Sequence, residues 1–136
     1  MLDIVILSKE KIIITGAKVY NENEYRKKIS CDILVILSNL DPCNFNVSAN
    51  IAVIYGDLGF NSYRNIRYKK IITYGMSHKN TVTISSVSDN EILMCTLREF
   101  ESLNGTPIEL KEYLLKKEMA KDLDCLALGV LKLILK

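Results

Sequence analysis

Asp57 stands directly after Gly56 at the end of an apolar run, where a carboxylate could accept ribose hydroxyls or hold a hydrated cation. The same residue in the same setting is also an ordinary turn aspartate, because Asp hydrogen-bonds nearby backbone and populates turns freely. His78 could act as a general base near neutral pH; flanked by Ser77 and Lys79, it reads equally as a loop residue. In open α/β sheets ligands sit outside the C-terminal ends of strands. That rule adds Ser38, Asn39, Asp41 and Gly75 to the candidates. No nucleophile stands out. Ser85-Ser86 lacks the Gly-x-Ser-x-Gly elbow, and the cysteines Cys31, Cys43, Cys95 and Cys125 have no cationic or histidine neighbour. Glu99 with Glu101, or Glu109 with Glu112, could pair as carboxylates, but on alternating strands such residues form wet faces with lysines such as Lys111.

Metal and phosphate chemistry lack their usual residues. One histidine and four cysteines without CxxC spacing do not make a zinc site, and no cofactor is expected. Thr15-Gly16-Ala17-Lys18 has one glycine and the wrong spacing for a phosphate loop. With 18 Lys plus Arg against 16 Asp plus Glu, the net charge of +2 is too weak to point to nucleic acid. Arg64–Lys70 gathers Arg64, Arg67, Lys69 and Lys70 around Tyr68, with Tyr63 just before it, a pattern that could clamp a phosphodiester chain. Its plainer reading is a solvated turn leading into the next strand.

A chain of 136 residues, 49% hydrophobic, supports one domain with a real core. Cysteines inside apolar patterns suit a reducing cytosol. The segment Met1-Leu2-Asp3 carries an acid where a signal peptide carries a base. Cys125–Leu135 is about half the length of a membrane span, and it contains Lys132. A cytoplasmic protein with no membrane partner is the expectation.

The elements that would position the candidates follow from periodicity. Ile33–Leu37, Ile51–Tyr55 and Ile71–Tyr74 are apolar on both faces, the mark of central parallel strands. Leu2–Leu7 and Ile12–Thr15 read as a hairpin or two edge strands, and Asn21–Ser30 as a short helix. Asn61–Arg67 reads as a helical turn; the crossovers are short enough that at least one should be loop. Thr81–Ser85, Ile92–Phe100 and Thr106–Leu114, the last two joined at Asn104-Gly105, read as an antiparallel meander. A largely buried helix over about 121–135 closes the chain, capped by Asp122 or a residue just before it. The fold class expected is α/β, Rossmann-like, over residues 1–136: a partly parallel sheet of about three buried strands, an antiparallel β-meander and a buried C-terminal helix.

This order resembles the latter part of the central domain of Mur ligases, ATP-dependent enzymes that add amino acids to cell-wall precursors. The matching segments are Ile33–Asp41, Ile51–Asp57, Ile71-Ile72-Thr73-Tyr74-Gly75, Thr81–Leu114 and Leu126–Leu135, from about Cys31 to the end. The resemblance implies a bacterial protein with a nucleotide near the strand ends. The departures count against ligase chemistry. The family's Gly-x-x-Gly-Lys-Thr/Ser loop has no counterpart, Pro42 and Cys43 stand where its histidine is expected, and its Asn-Asp-Asp-type turn becomes Gly56-Asp57-Leu58. The amino-acid-binding domain is not in this sequence. The reading is a non-catalytic binding or assembly module, with itself as a homodimer or another protein as partner. The alternative is an enzyme or sensor that binds a nucleotide or UDP-sugar at Asn39, Asp41, Gly56, Asp57, Gly75 and His78.

Overall fold

A computed structural model describes residues 2–25 and 27–136. The strands are β1 (Ile4–Leu7), β2 (Lys18–Tyr20), β3 (Lys28–Ile36), β4 (Asn46–Tyr55), β5 (Ile66–Tyr74), β6 (Val82–Val87), β7 (Glu91–Thr96), β8 (Phe100–Glu101), β9 (Pro107–Ile108) and β10 (Glu112–Lys116). The α-helix among the described residues is α1 (Asp122–Ile134). The architecture is mixed α/β: a mostly parallel eight-stranded sheet in the order β10-β7-β6-β5-β4-β3-β1-β2, and a separate β8-β9 ribbon. Among the described residues no helix is long and apolar enough to cross a membrane. The chain divides into two compact units.

The first unit comprises residues 1–54 and 58–71. β1 pairs in parallel with β2 on one side and with β3 on the other, and β3 pairs in parallel with β4 at Ile33↔Ile51. Val47 N donates to Asn65 O and Gly56 N to Tyr74 O, the same sequence offset at both ends of the pair, so β4 and β5 also run parallel. The apolar runs of β3 and β4 are buried on both faces, as the sequence predicts. One face gathers Val5, Leu7, Leu34, Ile36, Ala52 and Ile54 beneath Leu40, Phe45 and Tyr63. Leu40 and Phe45 come from the loop between β3 and β4, and Tyr63 from a 3₁₀ turn between β4 and β5, not from α-helices. The crossovers therefore do with loop side chains what α-helices do in larger α/β domains.

β1 lies between two partners, so Leu2–Leu7 is neither an edge nor half of a hairpin. Ile12–Thr15 forms no strand, and Ile13 is 97% exposed. Among its described residues Asn21–Ser30 holds a single 3₁₀ turn at Glu22–Glu24; Asn21 and Glu24 cap it reciprocally, and Lys28 already begins β3. Arg26, within that segment, and Met1 lie outside the described residues. Asn61–Arg67 divides between a 3₁₀ turn at Phe60–Tyr63 and the start of β5. The three apolar runs lie at the C-terminal ends of longer strands; the N-terminal halves of β3 and β4 alternate buried with more exposed residues, whereas residues 67–70 of β5 are all exposed.

The second unit comprises residues 55–57 and 72–136. β6 starts beside the end of β5 at Tyr74↔Val82 and runs on in the same direction. No return crossover is needed, which is why residues 75–81 suffice. β6, β7 and β10 are antiparallel neighbours, and α1 packs on all three. The third meander strand is Glu112–Lys116, not Thr106–Leu114, because Phe100–Ile108 closes on itself around Asn104-Gly105 as the β8-β9 ribbon. The N-cap of α1 is Lys121, with no side-chain cap bond, and Asp122 and Asp124 occupy the first turn, where carboxylates oppose the helix dipole. Gly129 sits mid-helix because a Cβ there would lie 2.5 Å from Leu115 Cδ1.

Candidate functional site

The chain leaves β1 toward β2 on one side and returns to β3 on the other. Open α/β sheets bind ligands outside such a switch point. Here the strand ends supply Ser8, Lys9 and Asn39. Asn39 Oδ1 accepts a hydrogen bond from Lys9 N at 3.2 Å, and Leu37 N donates to Leu7 O at 3.0 Å. Ser8, 1% exposed, accepts from Glu10 N through its hydroxyl and donates its own N–H to Tyr20 O. Asp41 accepts from Cys43 N at 3.0 Å, an Asx turn that steers the chain toward buried Phe45. Asn39 and Asp41 thus tie loops together. Nothing in the sequence marks Ser8 and Lys9 as strand-end candidates, because Leu2–Leu7 reads there as an edge strand or half of a hairpin.

Gly56, Asp57, Gly75 and His78 belong to the second unit, where the structure brings the first three together. The Asp57 carboxylate accepts from Met76 N at 2.7 Å, Ser77 N at 3.2 Å and Asn80 Nδ2 at 2.9 Å. Asn80 is 3% exposed and also donates to Ser77 O at 2.9 Å. The two glycines make room for this cluster. A Cβ at Gly56 would overlap Asn80 Oδ1, and one at Gly75 would stand 2.6 Å from Asp57 Oδ2. Arg98 straps the outside, donating to His78 O at 3.1 Å and Asn80 O at 2.9 Å. The His78 side chain is exposed and makes no hydrogen bond among the described residues. Burial, then the Asp57 charge, pushes the Tyr55 phenol above its ordinary range. Chemically this is a carboxylate-pinned loop. Asn80 is its central residue, and nothing in the linear order around it signals that.

A further concavity of the first unit lies elsewhere. The N-terminal halves of β3, β4 and β5 line a cavity of about 420 Å³ with Ser30, Asp32, Ser48, Asn50, Arg67 and Lys69, and with Asp3 from the chain before β1. Arg67 donates from Nε to Ser48 Oγ at 3.0 Å and from Nη2 to Asn46 Oδ1 at 2.6 Å. Asp32 accepts from Asp3 N at 2.8 Å and from Asn50 Nδ2 at 3.3 Å. Asp32 N and Ile33 N both donate to Asp3 O, and across this point the residues of β3 in the core cluster change from Ile29 and Cys31 to Leu34 and Ile36. The Arg64–Lys70 run is therefore strand from Ile66 onward, not a turn. Arg67 and Lys69 face a floor that also holds Asp3 and Asp32. Such mixed charge suits a small polar ligand better than a polyanionic strand.

Cys31 lines the same cavity. Burial, with Asp3 and Asp32 adding to it, pushes its thiol from 9.0 up to about 12, so it is no nucleophile at neutral pH. An alkylating reagent at pH 8 should modify half-exposed Cys43 and Cys95 first, with buried Cys31 and Cys125 reacting only as the chain opens; peptide mass spectrometry reads the order. Because the folded thiol titrates above the unfolded one, its contribution to stability is complete below about 9 and is lost as pH rises toward about 12. Among the described residues no three His, Cys, Asp or Glu side chains gather closely enough to hold a metal ion. A scan against protein-family models, a search of curated proteins and a search of solved structures each returned no match.

Proposed function

We propose that this chain is a non-catalytic binding or assembly module, built on a reduced Rossmann-like sheet similar to the latter part of the Mur ligase central domain. The observation that carries this is the Asp57 turn. At the place where a nucleotide reading puts its ligand, both carboxylate oxygens already accept N–H groups of the chain's own loop. A ribose or a hydrated cation would have to displace Met76, Ser77 and Asn80. The strand order β2-β1-β3-β4-β5, all parallel, supports the Rossmann-like reading, since it is the order of doubly wound sheets with their switch point between β1 and β3.

A second reading, a sensor of a nucleotide or UDP-sugar, draws support from the open polar cavity beside Arg67 and Lys69. Two measurements separate them. The module reading expects light scattering to find particles heavier than the 15.4 kDa chain, either for the protein alone or in its native extract. It also expects no change in melting temperature with millimolar nucleotides or UDP-sugars. A monomer under both conditions overturns it, as does a ligand-induced rise in melting temperature, which mass action requires of any compound binding the folded state.

A further inference from the structure

We infer that the partner is a second copy of this chain, joined through β10. This deepens the module reading and rests on it. Among the described residues β10 is the last strand of its sheet and pairs with β7 alone. Thr96 N donates to Lys111 O and Lys117 N donates to Asn90 O, so the odd-numbered residues turn their backbone groups toward β7. In an antiparallel ladder the alternate residues then turn theirs outward. The N–H and C=O groups of Glu112, Leu114 and Lys116 form that free edge. The same three side chains share the face opposite α1, because Leu115 packs against α1 at Gly129. Leu114 is 65% exposed on that face.

Proteins ordinarily blunt such an edge with like charge, proline or a bulge. Here Glu112-Tyr113-Leu114-Leu115-Lys116 is instead complementary to itself. Two copies paired antiparallel about Leu114 place Glu112 of each opposite Lys116 of the other, with Leu114 against Leu114 between them. All three pairs use outward-facing backbone groups, so each exchanges hydrogen bonds in the close-paired geometry. Neighbouring registers are worse. Sliding one way sets Glu112 opposite Leu114; sliding the other sets Glu112 opposite Glu118. Beyond the strand ends Lys111 would meet Lys117 of the second copy, but each lies near an acid of its own chain, Glu109 at 3.7 Å and Asp122 at 3.4 Å. The opposite edge offers less, since β2 is three residues long. A twofold axis through Leu114 makes the contact closed and isologous.

The test is a charge swap in the full chain, read by light scattering at low salt, with circular dichroism to confirm folding. Each of Glu112→Lys and Lys116→Glu turns two attractive pairs into two repulsive ones. Cross-strand pairs of this kind should together weaken the dimer by about tenfold or more. The double variant E112K/K116E and an equimolar mixture of the two single variants both restore opposite charges and should recover dimers. Single variants that dimerise like the parent, or a double variant and a mixture that both stay monomeric, overturn the β10 contact while leaving the module reading in place. A parent chain that is monomeric alone but heavier in its native extract overturns the second copy as partner, again without touching that reading.

Discussion

Replacing Phe45 by alanine should cost about 3–5 kcal/mol, a large part of the 5–15 kcal/mol that holds an ordinary domain folded. Phe45 is 1% exposed and lies in the loop between β3 and β4, under the sheet face that carries Leu34, Ile36, Ala52 and Ile54. In an α/β domain with helical crossovers a loop residue at this position would be marginal. Here it stands where a helix would stand, so its ring is core. The cost combines the lost transfer energy of the ring with a cavity that the neighbouring strands cannot close. Urea titration should show a lower midpoint with an unchanged slope, since the surface exposed on unfolding hardly changes. A loss below about 1 kcal/mol, the level of an ordinary surface substitution, would mean that the loop does not cover the sheet.

Asn80→Asp should destabilise the second unit by about 3 kcal/mol or more at pH 7. The amide Nδ2 now donates to Asp57 at 2.9 Å and to Ser77 O at 2.9 Å. A carboxylate in its place removes both donations and sets two negative charges side by side in a buried position. Like charge and burial both raise the folded-state pKa of the new carboxyl above its unfolded value. The sign follows from that. The penalty is small below about pH 4, grows as pH rises through the carboxylate range, and is complete above the raised pKa. Denaturation of the variant and its parent at acid and neutral pH should therefore show a gap that widens with pH. A gap of constant size would mean that Asn80 acts by shape alone. Asn80→Ala, which adds no charge, should be the milder change, with a gap that varies less with pH.

Particular residues show how much was legible beforehand. The runs Ile33–Leu37, Ile51–Tyr55 and Ile71–Tyr74 announce central strands because almost nothing polar interrupts them, and all but Leu37 fall within strands. Asn104-Gly105 announces a tight turn, and Gly105 does take φ +81° there. What that turn joins was not legible, since a two-residue ribbon carries too little pattern to be separated from the strand that follows. At the candidate site Asp57 and the two glycines are visible as strand-end residues. Asn80 is not, because its importance comes from where β5 and β6 place it and not from its neighbours in the chain.

By itself the sequence determined the elements whose burial is written locally: strands apolar on both faces and a helix apolar nearly all round, since side-chain periodicity alone decides which backbone can bury them. Tertiary structure decided whatever depends on a non-local partner. It made β1 an interior strand, assigned Phe45, Leu40 and Tyr63 the work of absent helices, turned Asp57 toward its own loop, and left β10 as an edge. Hydrogen-bond pairing between distant segments obeys register and available edges, and neither quantity is carried by any single stretch of residues.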